Sequence, residues 1–153
     1  TAVRRTELKQ SPAAGHQVVV LDTIGELGKI YSLGDIIFVG GSLVPHGGHN
    51  ILEPAAHGKP IIVGPHMFNF RDTYALFSGR GACATVNYPG ELSGEMLRLL
   101  QDDQARAAMA ARCREIVREN RGAARKSALY LKELLASTEA KNNIGKIGKL
   151  EDG

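Results

Sequence analysis

Two glycine pairs, Gly40-Gly41 and Gly47-Gly48, enclose Ser42 to His46 and lead directly into His49, Asn50 and Glu53. Such pairs let a chain turn tightly and let an anion reach backbone N–H groups without meeting a Cβ. A helix start straight after the loop adds further donors, so the arrangement predicts an anion site, with Gly40, Gly41 and Ser42 in the turn and Gly47 and Gly48 against a phosphate. His49, between Gly48 and Asn50 at the helix mouth, is a candidate contact to phosphate or sugar. Asn50-x-x-Glu53 also fits a capping box, in which Asn50 accepts from the helix and Glu53 reaches back. Pro54 disturbs that fit. With Asn50 as the cap, proline would stand at the fourth helical position, where its nitrogen cannot donate to the Asn50 carbonyl. The first turn is then irregular, or the helix starts later. Either case leaves the Glu53 carboxylate free to accept from a diol, as acidic residues do from a ribose.

A second loop, Gly64 to Phe70, brings His66 and Asn69 toward the same crevice, with Met67 and Phe68 as apolar walls or core and Phe70 as core. Four of the five histidines lie between positions 46 and 66, which raises a metal site as a rival reading. His46-x-x-His49 has no cysteine or carboxylate to complete a recognised ligand set, so no metal is expected. Mere punctuation between a strand and a helix is the third reading of the loop.

The elements that must position these residues are short. Runs at Gln17–Asp22, Asp35–Val39, Pro60–Val63 and Ala82–Val86 are apolar and largely β-branched, the pattern of parallel strands buried on both faces. Helix-length segments at Gly25–Leu33, Ile51–His57 and Arg71–Ser78 alternate with them, each followed by a glycine (34, 58, 79) suited to a left-handed C-cap. The order βαβαβαβ predicts an α/β fold, a Rossmann-like parallel sheet with helices on both faces. Ligands of such sheets bind at the carboxyl ends of the strands, where both loops lie. From Glu91 the pattern is helix alone, with recurring faces of Leu92, Met96, Leu99 and Leu100, of Met109, Ile116 and Val117, and of Leu129, Leu131, Leu134 and Leu135. Asn120-Arg121-Gly122 predicts a bend. One domain over 1–136 is expected, with 137–153 a disordered tail.

Composition excludes several classes. A formal charge of +3 comes with only 5% aromatic residues and no tryptophan, so no base-stacking platform for nucleic acid is visible. Cys83 and Cys113 lack CxxC spacing and read as buried or half-buried free thiols. No apolar stretch approaches the roughly 18 residues needed to cross a bilayer, so a soluble chain is expected. It opens on TAVRRTELKQ without a methionine, which reads as a piece cut from a longer protein.

VLDTIGELGKIY, FVGGSLVPHGGHNILEPAAHGKPIIVGPHMFNF and ENRGA together resemble the C-terminal half of the bacterial 3-deoxy-D-manno-octulosonic acid (Kdo) transferases of lipopolysaccharide assembly, from about Arg4 to Ala123. The resemblance implies half of a GT-B glycosyltransferase, binding CMP-Kdo, while a missing N-terminal domain binds lipid A precursor and carries the general base. By that resemblance Gly47, Gly48, His49 and Asn50 meet the phosphate and sugar, and Glu53 holds the ribose hydroxyls. Arg4 and Arg5 match the family's paired basic residues, one of which would stabilise the departing CMP without a metal or other cofactor. No catalytic residue is expected within the chain. The implied location is the cytoplasmic face of the bacterial inner membrane, reached only by the full-length protein, and an uncovered fragment is prone to self-association. A free-standing nucleotide-sugar-binding or regulatory module is the alternative.

Overall fold

The computed structural model describes residues 1–9, 15–122 and 127–135. Two compact units divide the chain, Thr1–Val117 and Arg118–Gly153.

The first unit contains five short parallel strands. β1 (Ala2–Arg4) pairs with β2 (Val18–Val20), Ala2 opposite Val18. β3 (Ile37–Phe38), β4 (Ile61–Val63) and β5 (Cys83–Thr85) form a second sheet in that order. Its register sets Ile37 and Cys83 on either side of Ile61. All four expected strand runs are strands, within the Rossmann-like class that the alternation predicts.

One continuous sheet was the expectation, and two are found. The valines of β2 are 53%, 47% and 48% exposed, unlike strands covered on both faces. β1 has no apolar run to announce it, because only Val3 of its three residues is buried. Among the described residues no strand pairs with β1 opposite β2, or with β3 opposite β4.

The central strand β4 is the best buried element, with Ile61, Ile62 and Val63 each 0% exposed. Side chains alternate across a strand, so its two faces build two cores. Ile61 and Val63 join Val39 and Cys83 in a cluster with Ile51 and Ala55, with Phe77 of α3 (Arg71–Gly79), and with Cys113 and Ile116 of α5 (Asp103–Glu119). Ala55 belongs to α2 (Leu52–Ala56). Ile62 faces the opposite way, onto Leu99 of α4 (Pro89–Gln101) and onto Met109, with Leu92 and Met96 packed alongside. Helices therefore cover both faces. Leu100, read from the sequence as part of the α4 core face, is 53% exposed.

The segment after β2 is a short helix, α1 (Leu27–Ile30), running into a 3-10 turn over Tyr31–Leu33. Gly34 then continues extended at φ −75°, so it is not the left-handed cap expected there. Gly58 is left-handed, at φ +62°. Gly79 lies within α3, and Gly81, at φ +63°, takes the left-handed place instead.

In the second unit a turn follows the end of α5 at Glu119, where Arg121 N–H donates to the Arg118 carbonyl and Gly122 is left-handed at φ +98°. That is the expected bend. Residues 127–135 are helical, with Leu129, Leu131, Leu134 and Leu135 each more than half exposed. The tail at 137–153 lies outside the described residues.

Candidate functional site

β3 and β4 deliver the two loops to the same sheet edge, where two backbone hydrogen bonds join them and a third closes the first loop. His66 N–H donates to the Ser42 carbonyl at 2.9 Å, Asn69 N–H to the Gly47 carbonyl at 3.3 Å, and Gly48 N–H to the Gly41 carbonyl at 3.1 Å within the first loop. Ser42 is 0% exposed, and its hydroxyl donates to the Val39 carbonyl while accepting from Gly64 N–H at 2.7 Å. Ser42, expected to face a ligand, is instead an internal brace, since both functions of its hydroxyl are used within the protein. The Asn69 amide also works inward, donating from Nδ2 to the His46 carbonyl at 3.2 Å. Its Oδ1 accepts no hydrogen bond from the described residues.

Gly47 and Gly48 are buried and left-handed, at φ +91° and +72°. A Cβ on Gly47 would lie 2.2 Å from Asn69 Nδ2, and one on Gly48 2.3 Å from the Met67 sulfur. The second loop thus occupies the side on which a phosphate was expected to approach. Glycine is required there by loop packing and by backbone conformation. Gly40 differs, being exposed with open space where a Cβ would stand.

The entry into α2 resolves the difficulty with Pro54. Ile51 is the N-cap and Leu52 the first helical residue, so Pro54 sits at the third position, where no helical N–H is required. Ala55 N–H makes the first helical bond, to the Ile51 carbonyl at 3.2 Å. Asn50 Oδ1 accepts from Leu52 N–H at 3.0 Å, a local Asx turn rather than the N-terminal half of a capping box. Glu53 does not reach back. Its side chain is exposed and makes no hydrogen bond with the described residues. The backbone N–H groups of His49 and Asn50 likewise find no acceptor among those residues, which leaves them available to an anion.

His49 is exposed, its ring against Gly41, with Nε2 3.3 Å from where a Cβ on that glycine would lie. His46 is exposed and His66 half-buried. Among the described residues no group of three or more His, Cys, Asp or Glu is arranged to hold a metal.

A second cluster stands at the carboxyl end of β1 and β2. Arg5 Nη2 donates to Glu26 Oε1 at 3.1 Å, and the Thr23 hydroxyl donates to Glu26 Oε2. The Thr23 hydrogen bond, and then the Arg5 charge, hold the Glu26 carboxyl below its usual value. Asp22 accepts from Thr6 Oγ1 at 2.7 Å and Thr6 N–H at 3.2 Å, and that hydroxyl bond lowers its pKa. The Arg5 guanidinium is thereby engaged within the fold. Arg4 has an exposed side chain with no hydrogen bond to the described residues, and Asp22 is its charged neighbour. Of the expected pair, Arg4 is the guanidinium free to meet an anion.

Sequence reasoning gave no role to Thr6, Asp22, Thr23 and Glu26, or to Tyr31. A hydroxyl or carboxylate at nearly every step just after a strand is the signal that could have found the first four. Tyr31 is half-buried in the turn that packs against α2. Burial, and after it the Glu53 charge, raises its pKa.

The glycine-rich edge carries exposed residues, among them Gly40, His46, His49 and Glu53. A cavity of about 280 Å³ adjoins it along Phe68–Thr73. A larger one of about 450 Å³ lies at the opposite, amino end of β3 and β4, lined by Asp35, Lys59, Arg106 and Arg114 among others. At the first end stand free N–H groups, an unbonded carboxylate and imidazoles, while the unpaired Arg4 guanidinium belongs to the β1–β2 sheet. Such a set suits a ligand carrying both phosphate and sugar hydroxyls.

Comparison with known proteins points the same way. No family model matches the chain. It is 37% identical over 132 residues to a 3-deoxy-D-manno-octulosonic acid transferase of Haemophilus influenzae, which covers 86% of this chain and 31% of that protein. A protein of the same name from Bordetella pertussis is 33% identical over 132 residues, with the same shares. The chain therefore spans about a third of the length of these relatives. Among solved structures, the C-terminal CMP-Kdo binding domain of WaaA from Acinetobacter baumannii superposes with a TM-score of 0.71 at 35% identity, over 76% of this chain and 60% of that one. The resemblance carried by the motifs is thus shown: over most of its length the chain is similar to the C-terminal domain of the Kdo transferases.

Proposed function

We propose that this chain is the donor-binding part of a Kdo transferase, binding CMP-Kdo at the carboxyl edge of its parallel strands. The observation that carries the reading is the 35% identity to a solved CMP-Kdo binding domain, spread over 76% of the chain. The exposed polar groups at that edge support it. The N–H groups of His49 and Asn50, the His49 ring and Arg4 receive the phosphate. Gly40, Gly41 and the second loop shape the floor, and His66 and the free Oδ1 of Asn69 face the sugar. Glu53 takes the ribose hydroxyls. Gly47, Gly48 and Ser42 contribute by fixing the loop, and Arg5 by fixing the β1–β2 cluster around Glu26.

In the complete enzyme this half supplies the leaving-group side of Kdo transfer. A guanidinium and oriented N–H groups stabilise the departing CMP phosphate electrostatically, without a metal. The general base and the site for lipid A precursor belong to a part of the enzyme outside these 153 residues, in keeping with relatives about three times as long. Among the described residues no helix is long and apolar enough to cross a membrane, and attachment to the inner face of the inner membrane is a property of the whole protein. The half-exposed valines of β2 make self-association of the separate chain a further consequence.

A transfer assay tests the reading. The chain is incubated with CMP-Kdo and lipid A precursor, and Kdo-modified lipid is sought by mass spectrometry. Donor binding by calorimetry without product is the expected result, since general-base help and positioning of the acceptor, worth roughly 10²- to 10⁴-fold and more, are absent. Product at the rate of an intact transferase would put the base within the chain. Failure to bind CMP-Kdo would remove the donor assignment.

A further inference from the structure

Where the second loop runs into α3, a cavity of about 280 Å³ is lined by Phe68, Asn69, Phe70, Arg71, Asp72 and Thr73. It adjoins the glycine-rich loop directly. Asn69 N–H is bonded to the Gly47 carbonyl at 3.3 Å, and a Cβ on Gly47 would lie 2.8 Å from Phe68 Cε2. Phe68 is 51% exposed, so the cavity has an aromatic ring for the C–H face of a ligand to cover. Asn69 Nδ2 is spent on the His46 carbonyl, which leaves its Oδ1 to accept. Arg71 and Asp72 are exposed and Thr73 is half-buried, and none of the three side chains makes a hydrogen bond or ion pair with the described residues. The cavity therefore offers one cation, several partners for hydroxyl groups and an apolar ring. Arg71 is also the one lysine or arginine within 40–53 and 64–73, the stretches that build this edge.

We propose that this cavity holds the transferred sugar of the donor, with the Arg71 guanidinium pairing with the carboxylate of an acidic sugar. The proposal rests on the donor-binding reading above and adds to it a residue that distinguishes an ulosonic acid from a neutral sugar. In such an acid the carboxylate is attached to the anomeric carbon that also bears the phosphate, so two negative groups stand side by side. The phosphate is met by the N–H groups of His49 and Asn50 and by Arg4; the carboxylate needs a cation of its own, from the side of the second loop. A guanidinium suits it, because its planar fork matches the two carboxylate oxygens and its charge persists at every physiological pH. Asn69 Oδ1, Asp72 and the Thr73 hydroxyl then serve the sugar's hydroxyl groups, and Phe68 its apolar face.

The experiment compares CMP with CMP-Kdo by calorimetry, in the wild type, Arg71→Gln and Arg71→Lys, with circular dichroism to verify folding. The wild type is expected to bind CMP-Kdo more tightly than CMP. In Arg71→Gln that preference should drop about tenfold, the change due to one lost charge-assisted hydrogen bond. Arg71→Lys should recover part of it, since the charge is kept and the fork is lost. A preference unchanged in Arg71→Gln, or a wild type that binds CMP and CMP-Kdo equally, overturns the subsite and leaves the nucleotide reading standing. Equal weakening of both ligands in Arg71→Gln would make Arg71 a phosphate contact and overturns the carboxylate pairing. A wild type that binds neither ligand overturns the donor reading and the subsite with it.

Discussion

Ser42 and Gly64 hold the two loops in contact: Gly64 N–H donates to Ser42 Oγ at 2.7 Å, and a Cβ on Gly64 would lie 2.2 Å from the Ser42 carbonyl oxygen. The floor of the candidate site is therefore set by backbone against backbone, with no flexible side chain to give way. Ser42→Ala leaves a buried N–H without its acceptor, which costs about 1–3 kcal/mol. Gly64→Ala should cost more, because a main-chain segment must shift. Chemical denaturation of both variants checks the order, and a Gly64→Ala variant as stable as the wild type would show that the loops are not in contact.

Arg4 and Arg5 should separate in their effects. Arg5 is tied to Glu26, in a pair about one-third exposed and screened by solvent, so Arg5→Ala should lower stability only slightly. Arg4→Ala should leave the melting temperature alone and weaken CMP binding. Calorimetry and thermal melts on the two variants decide it, and the reverse assignment of effects would make Arg5 the phosphate ligand.

Acid should loosen the β1–β2 cluster before the three-stranded sheet. Asp22 and Glu26 both have pKa values lowered in the fold, by hydrogen bonds from Thr6 and Thr23 in the first place. A depressed carboxyl favours folding above its unfolded value and loses that contribution as pH falls through the folded value. Below about pH 4, amide exchange should therefore rise over 2–4 and 18–20 while 61–63 stays protected. Uniform exchange at all these strands would contradict it.

The thiols should be inert at neutral pH. Burial pushes Cys83 up to about 11 and Cys113 to about 12. The thiolate is the reactive form, so alkylation at pH 8 should be slow until the protein unfolds. The sign of the linkage is opposite to that of the carboxylates: the folded state retains these protons where the unfolded chain releases them, so stability falls as pH rises above about 9. Rapid labelling of either cysteine in folded protein would contradict the burial.

Legibility in the sequence followed burial. Ile61–Val63 and Ile37–Phe38 are runs that both cores enclose, and they were readable as strands. β1 was not, because its pairing with β2 comes from backbone hydrogen bonds that leave little trace in Ala-Val-Arg. At the site, the glycine-rich loop and Glu53 were visible as chemistry, but which groups face outward was not. Ser42 looks like any loop serine until the Gly64 amide is found beside it. Gly47 and Gly48 look like a phosphate cradle until Asn69 and Met67 are found against them. That α2 packs against the Tyr31–Leu33 turn about 20 residues upstream is likewise encoded by no local pattern.

The central claim is that a cytidine nucleotide binds at the carboxyl edge of β3 and β4, and an NMR titration of the chain with CMP tests it most directly. Binding is expected to be weak, because a ligand held by few contacts must still meet the costs of ordering and desolvation. Shifts should gather at residues 40–53 and 64–70, with Arg4 joining them. Shifts confined to α4 and α5, or gathered around Lys59, Arg106 and Arg114 at the opposite end of the sheet, would contradict the account.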